Sequence, residues 1–410
     1  MGKNFITGLD IGTSSIKVAI AEKKGDRLNL RAVLKEPSLG MRKGAIYDLA
    51  ESAQAVGRAL SQVKSVSRSA LKNIYVNIGT PQVRIQGSKG FVAVSRADNE
   101  IYKDDMDRAI RAAQAINIGP NRTVIHTIAR EYIVDGVGEI LDPLGLNGNR
   151  LEVNCLIVDA FTPHIKNLMK VIELVGGEVG GMVFTPLASG RSVLSKVQKD
   201  LGVALIDIGS GTTGLSVYEE GKLLGVSNFP IGAGNISNDL AVGLKVPVTQ
   251  AEMMKLNYGH AIAREVGTRE SIELAKFMPE QEGNVSRRFV AEIVEARLAE
   301  ILEFVNGELR ILGKAGKLAG GAVLVGGGAK LSGLTELCKK ELKLFSQIGM
   351  ATEDKWAMES DSFSEYVEDP EYVNALGLAL WGADQENWQP TASPAGAANK
   401  IKRFFSYFSP

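Results

Sequence analysis

Residues Gly8-Leu-Asp-Ile-Gly-Thr-Ser-Ser-Ile-Lys-Val18 and Leu205-Ile-Asp-Ile-Gly-Ser-Gly-Thr-Thr-Gly-Leu-Ser-Val217 are two versions of one pattern. Each is an apolar strand ending in Asp-x-Gly, a short Gly/Ser/Thr turn, and an alternating second strand, which is how a β-hairpin is written. The repeat predicts two lobes of common plan, with Asp10 and Asp207 at equivalent strand ends facing one gap. The chain is long enough for this, since 410 residues exceed what one core usually serves. Hydrophobic residues at 45% and charged residues at 23% are ordinary for a globular protein.

The turns carry phosphate-binding chemistry. Anionic phosphates need converging donors and a closely approaching backbone, which small residues in tight turns supply, with a lysine to neutralise charge. Gly12, Thr13, Ser14, Ser15 and Lys17 supply these in the first hairpin, and Gly209, Ser210, Gly211, Thr212 and Thr213 in the second. Asp10 and Asp207 are the expected Mg2+ partners, acting largely through its water shell. Gly209-x-Gly211-x-x-Gly214 formally spells a dinucleotide fingerprint, but that fingerprint requires a helix next, and Leu215-Ser-Val-Tyr218 reads as a strand. A third element, Ala322-Val-Leu-Val-Gly-Gly-Gly-Ala-Lys-Leu-Ser-Gly-Leu334, runs from a strand through Gly326, Gly327, Gly328 and Ala329 toward a helix. Its glycines let adenosine lie against the backbone. ATP and Mg2+ are therefore the expected ligands.

Between these landmarks, helices are expected over 48–63, 103–116, 164–175, 187–199 and 292–312, and strands over 73–79, 123–134, 151–160 and 182–184. Residues 84–162 read as an insertion. Lys plus Arg and Asp plus Glu both number 47, so no global field attracts nucleic acid. Cys155 and Cys338 sit in apolar surroundings and fit reduced packing residues. The start lacks a signal-peptide stretch, and no apolar run approaches a spanning helix, so a cytoplasmic chain with at most peripheral membrane contact is expected.

Phosphate turn, connecting helix, second phosphate turn, adenosine glycines and the late segment Asn374-Ala-Leu-Gly-Leu-Ala-Leu380 resemble, in order and spacing, the actin, Hsp70 and sugar-kinase superfamily. The inserted His126-x-x-x-x-Glu131-Tyr132 and Asp142-Pro-Leu-Gly-Leu-Asn-Gly-Asn-Arg-Leu151 are similar to a pattern of the FtsA family of bacterial cell-division actin homologues. The resemblance implies an α/β, actin-like (ribonuclease H-like), two-lobed ATPase fold with an FtsA-type inserted subdomain. Its division would be 1–83 with 163–199 for lobe one, 84–162 for a self-association subdomain, 200–230 with 300–384 for lobe two, and 231–299 for a small subdomain.

The resemblance further implies head-to-tail filaments that tether FtsZ to the cytoplasmic face of the inner membrane at the division site and help recruit later division proteins. Ala251-Glu252-Met-Met-Lys255 matches the family's ribose- and adenine-contacting helix, adding Glu252 and Lys255 to the nucleotide site, which is also expected to include Gly234. The FtsZ C-terminal peptide would meet Arg287, Arg288 and Arg297 in the small subdomain. A PilM-like pilus-assembly scaffold and a superfamily kinase are the rival readings. The kinase lacks a further catalytic carboxylate, and PilM typically lacks the tail found here. Gly181-Met-Val-Phe-Thr-Pro-Leu187 contains no Glu or Gln to orient water, Thr185 standing where MreB has glutamate, so ATP turnover is expected to be slow.

That tail follows a Gln/Pro/Ala/Gly/Ser linker, 385–398. In 399–410, Ile401, Phe404, Phe405 and Phe408 fall at i, i+3, i+4 and i+7, with Lys402 and Arg403 on the other side. An apolar stripe beside basic residues fits an amphipathic helix on anionic membrane lipids.

Overall fold

A computed structural model describes residues 5–24, 27–280, 282–351, 356–357 and 363–387. The 399–410 helix and its membrane residues, with nearly all of the 385–398 linker, lie outside the described residues.

The two hairpins head two sheets of the same design. In lobe one, Phe5–Ile11 pairs antiparallel with Ser15–Lys24, which pairs with Arg27–Pro37; on the other side Phe5–Ile11 runs parallel to Ile74–Ile78, and that strand to Val179–Phe184. In lobe two, Val203–Ile208 pairs antiparallel with Thr213–Glu219, then Lys222–Phe229; on its other side lie parallel Ala322–Val325 and Ser346–Ile348. Numbered along each lobe, both sheets therefore read 3-2-1-4-5. Lobe one gains one further edge strand, Trp356–Ala357, from late in the chain.

Strands Phe5–Ile11 and Val203–Ile208 are buried at every position, because helices cover both faces of each sheet. The second strand of lobe two, Thr213–Glu219, departs from the expected alternation for the same reason, being buried through Tyr218. Two helices cross between the lobes, Thr185–Val193 and Val373–Asn387. Their approach depends on glycine. A Cβ on Gly377 would stand 2.0 Å from the carbonyl oxygen of Ala188, and one on Gly8 equally close to that of Ala375.

The expected single helix over 187–199 is two. Leu194 turns extended, and Ser195 restarts a helix, Lys196–Leu201, by accepting from the backbone of Gln198 while Gln198 bonds back to the Ser195 N–H. The last helix runs to Asn387, past the linker boundary expected at 385, and Arg287–Ile311 is one continuous helix across the 299/300 division.

The inserted stretch forms its own four-stranded sheet, Arg84–Ala93, Arg150–Phe161, Arg122–Val134 and Val137–Ile140, with helix Lys103–Gln114 packed on it. Its joint to lobe one is polar and buried. The Phe184 N–H, at the start of the first crossing helix, donates to His126 Nε2 at 2.9 Å, and the His126 ring meets Trp381 of the second crossing helix edge-on. Burial holds His126 far below its usual range, at about 3. Cys155 lies in the core of this sheet and Cys338 in that of lobe two. Among the described residues no helix is long and apolar enough to cross a membrane.

Candidate functional site

The hairpins close on themselves: Gly12 N–H donates to the Ser15 carbonyl at 3.1 Å, and Gly209 N–H to that of Thr212 at 2.9 Å. Their tips meet across the gap, where a Cβ on Gly211 would lie 2.5 Å from Thr13 Oγ1. Below the tips opens a cleft of about 610 Å3, within the range of nucleotide-sized pockets. It is lined by Asp10, Gly12, Thr13, Ser14, Ser15 and Lys17 from one lobe and by Asp207, Gly209, Ser210, Gly211, Thr212, Glu252, Lys255 and Gly326–Gly328 from the other. Residues expected to share a site on sequence grounds thus converge from four separate segments.

Three expected members play other parts. Thr213 is buried and donates its hydroxyl to the Ile231 carbonyl at 2.8 Å, anchoring the second hairpin outside the cleft lining. Gly234 holds the same hairpin from the first turn of helix Ala233–Leu244, its N–H donating to Ser210 O at 2.8 Å. Ala329 is buried behind the glycine turn and packs in the lobe-two core.

The aspartates differ in their surroundings. Asp10 accepts from Asn77 Nδ2 at 2.8 Å and lies 3.7 Å from Lys17 Nζ. Burial raises its carboxyl to about 6, with Lys17 opposing and Asp207 and Glu371 adding to the rise. Asp207 accepts from Asn374 Nδ2 at 2.8 Å and from the Ser189 hydroxyl at 3.4 Å; burial raises it as well, against those bonds and Lys17. Two desolvated carboxylates facing one polar cleft leave negative charge that Lys17 only partly offsets, so the donor set fits a hydrated Mg2+.

At the end of the cleft expected to hold the nucleoside, Lys255 is buried, with Nζ 2.7 Å from Glu252 and 3.2 Å from the Ala233 carbonyl. Gly326 has φ +84°, and a Cβ there would stand 2.4 Å from Asp207 Oδ1, so only glycine carries the chain past the aspartate. Asn77, Asn228, Asn374, Lys35, Lys330 and Glu371 also line the cleft and were not anticipated as site residues. Asn374 and Lys330 carry a sequence signal, one at the head of the connecting segment and the other just past the glycine turn. Thr185 Oγ1 is buried without a hydrogen-bond partner at the cleft wall.

The arginines expected to take a peptide are already paired within lobe two. Arg287 contacts Glu270 at 2.6 Å and the Tyr258 carbonyl at 3.2 Å, and Arg297 holds Asp239 with both Nε and Nη2. Arg288 lies 3.9 Å from Glu292.

Two lobes of one plan, crossing helices at their hinge and a polar cleft beneath apposed hairpins define an actin-like protein. Solved structures agree on this fold. A PilM-PilN type IV pilus biogenesis complex matches at 19% identity, covering 93% of this chain and 99% of that one, TM-score 0.67. MreB 5 of Spiroplasma citri bound to AMPPNP matches at 12% identity, covering 94% and 98%, TM-score 0.56. Sequence narrows the class: the family "Cell division protein FtsA" matches residues 204–377, and "SHS2 domain inserted in FTSA" matches 81–159. Cell division protein FtsA of Bacillus subtilis is 35% identical over 90% of this chain and 81% of its own length, and that of Pseudomonas aeruginosa 31% over 96% and 93%. The chain belongs to the FtsA family of cell-division proteins.

Proposed function

We propose that this chain is an ATP-binding, filament-forming actin homologue that tethers FtsZ polymers to the cytoplasmic face of the inner membrane and helps recruit later division proteins. The observation that carries the nucleotide part is the pairing of hairpins with their buried aspartates over a nucleotide-sized cleft in a member of the FtsA family. Lys17 and the hairpin backbones would take the phosphates, Asp10 and Asp207 the magnesium hydration shell, and Glu252 and Lys255 the nucleoside. Bound metal would supply charge neutralisation of the phosphates.

ATP acts mainly as an assembly ligand, with turnover below about 1 per second, the low end of ordinary enzyme rates. Thr185 fits this, since a hydroxyl stands on the wall where a water-orienting carboxylate or amide would be required. Residues 84–162 serve self-association, the arginine region of 231–299 takes the FtsZ C-terminal peptide, and 399–410 binds anionic lipid. A single short amphipathic tail binds weakly, so attachment tracks assembly through many linked tails.

Liposome co-sedimentation with Mg-ATP, with and without 399–410 and with FtsZ added, tests the whole reading. The intact chain should carry FtsZ to anionic vesicles, and the truncated chain should leave both in solution. FtsZ pelleting equally well with the truncated chain would refute the tether. Calorimetry on Asp207→Ala isolates the cleft, where unchanged Mg-ATP affinity would remove the metal assignment.

A further inference from the structure

Asp10, Lys17 and Lys35 are in register on three adjacent strands of lobe one, Asp10 opposite Lys17 and Lys17 opposite Lys35. Residues directly opposite in a sheet share a face, so both ammonium groups rise beside the first phosphate hairpin. Lys330 approaches from the glycine turn of lobe two. All three reach one carboxylate. Glu371 Oε1 is 2.7 Å from Lys35 and 3.7 Å from Lys17, and its Oε2 is 3.6 Å from Lys330, whose nearer partner is Asp369 Oδ2 at 2.6 Å.

The backbone around the carboxylate is also held in place. Glu371 N–H donates to Asp369 Oδ1 at 2.9 Å, and Gly326 N–H donates to the preceding Pro370 carbonyl at 2.9 Å, fastening this loop to the nucleoside-side turn. Only 13% of the Glu371 side chain is exposed. Burial raises its carboxyl, but Lys35, Lys17 and Lys330 outweigh that and hold it below the ordinary range, so it is an anion at neutral pH. Lys17 stands 3.7 Å from both Asp10 and Glu371, too far to hydrogen-bond either. The lysine of the phosphate hairpin is thus shared between two carboxylates and committed to neither.

We propose that Glu371 is an internal substitute for nucleotide phosphate: it occupies the anion position of a Lys17–Lys35–Lys330 cluster, and the polyphosphate tail of an incoming nucleotide takes Lys17 and Lys35 from it. This rests on the nucleotide reading of the cleft. It assigns Lys35 as a second phosphate-binding lysine and Glu371 as the residue that sets affinity and exchange. Because the cluster draws Lys17 and Lys35 from one lobe and Lys330 from the other, Glu371 also bridges the lobes while no polyphosphate competes. Releasing that bridge is part of the work of binding, and an amide has the same shape without the charge.

Calorimetric titration of the full chain with Mg-ATP tests this. Glu371→Gln should bind about tenfold more tightly than wild type, equivalent to about 1.4 kcal/mol. Its advantage should shrink as salt rises from low to physiological, because the effect is one of charge. Lys35→Gln should bind severalfold more weakly, and the double variant should miss the product of the two single effects, as coupled neighbours do. Equal or weaker binding by Glu371→Gln, or strict additivity with Lys35→Gln, overturns the assignment. If wild type itself binds no Mg-ATP while unfolding cooperatively, the nucleotide reading falls, and this inference with it.

Discussion

The two hairpins at the cleft share backbone, register and turn, yet only one carries a charged side chain opposite its aspartate. Opposite Asp10 stands Lys17; opposite Asp207, at the equivalent place, stands Gly214. In lobe one the aspartate is therefore flanked by an ammonium and an amide, Asn77, and in lobe two by the neutral Asn374 and Ser189. The difference teaches that the repeat specifies architecture while the chemistry is divided. On the proposed nucleotide reading, lobe one would neutralise phosphate charge, while lobe two would supply backbone donors; its glycine tip fits against Thr13.

The sharpest way to break that division is to remove each register partner in turn. Lys17→Ala should weaken Mg-ATP binding by about 10- to 100-fold, the worth of a charge-assisted bond of roughly 1.5 to 3 kcal/mol. Gly214→Ala should cost far less, because its new Cβ is tight only against Pro186 Cγ at 3.0 Å, meets Asp207 Cβ and Asn228 Oδ1 at ordinary contact distances, and leaves the charges intact. Equal losses in calorimetry would mean the hairpins are chemically interchangeable after all.

A smaller effect is expected at the tips. Gly211→Val places carbon where Thr13 already stands, so the lobes must part or the hairpins shift. We expect Mg-ATP dissociation to accelerate severalfold and small-angle scattering to report a more open particle, with thermal stability little changed because each lobe keeps its own core. Thr13→Ala in the Gly211→Val background should recover much of the loss. No recovery would show that the tips do not touch in solution.

What the sequence disclosed follows the same line. The repeat, the aspartates and the glycine turn were legible because each is a local pattern whose backbone demand is written in consecutive residues. Glu371 and Lys35 were not, since 336 positions separate them and only folding places them 2.7 Å apart. Thr213 reads as a cleft residue because a hydroxyl in a Gly/Ser/Thr turn looks alike whether it faces the cleft or, as here, the Ile231 carbonyl. The break at Leu194–Ser195 is written as a capping box but sits inside a run of otherwise helix-compatible residues. Arg287 and Arg297 read as free cations because the carboxylates Glu270 and Asp239 that hold them lie elsewhere in the chain.

The smallest expected effect concerns what the lobe of the first hairpin carries at its edge. The inserted sheet is joined to that lobe through His126, whose Nε2 accepts the Phe184 N–H at the start of the first crossing helix and whose ring abuts Trp381 of the second. Burial keeps this ring neutral down to about pH 3 in the folded chain, whereas in the unfolded chain it takes up a proton near its ordinary value of about 6.5. Between those values the unfolded state binds the extra proton, so folding stability must fall as pH drops through this window. The limiting slope is about 1.4 kcal/mol per pH unit for one group. His126→Gln offers an amide oxygen to the same N–H and has no proton to gain. Urea unfolding at pH 7 should find the variant slightly less stable than wild type, since the amide packs less well against Trp381. By pH 4.5 its deficit should shrink and reverse, because only wild type carries this acid penalty. A difference between the two chains that stays constant from pH 7 to 4.5 would mean the ring is charged or exposed, and that the inserted sheet is not seated on the hinge through a buried neutral imidazole.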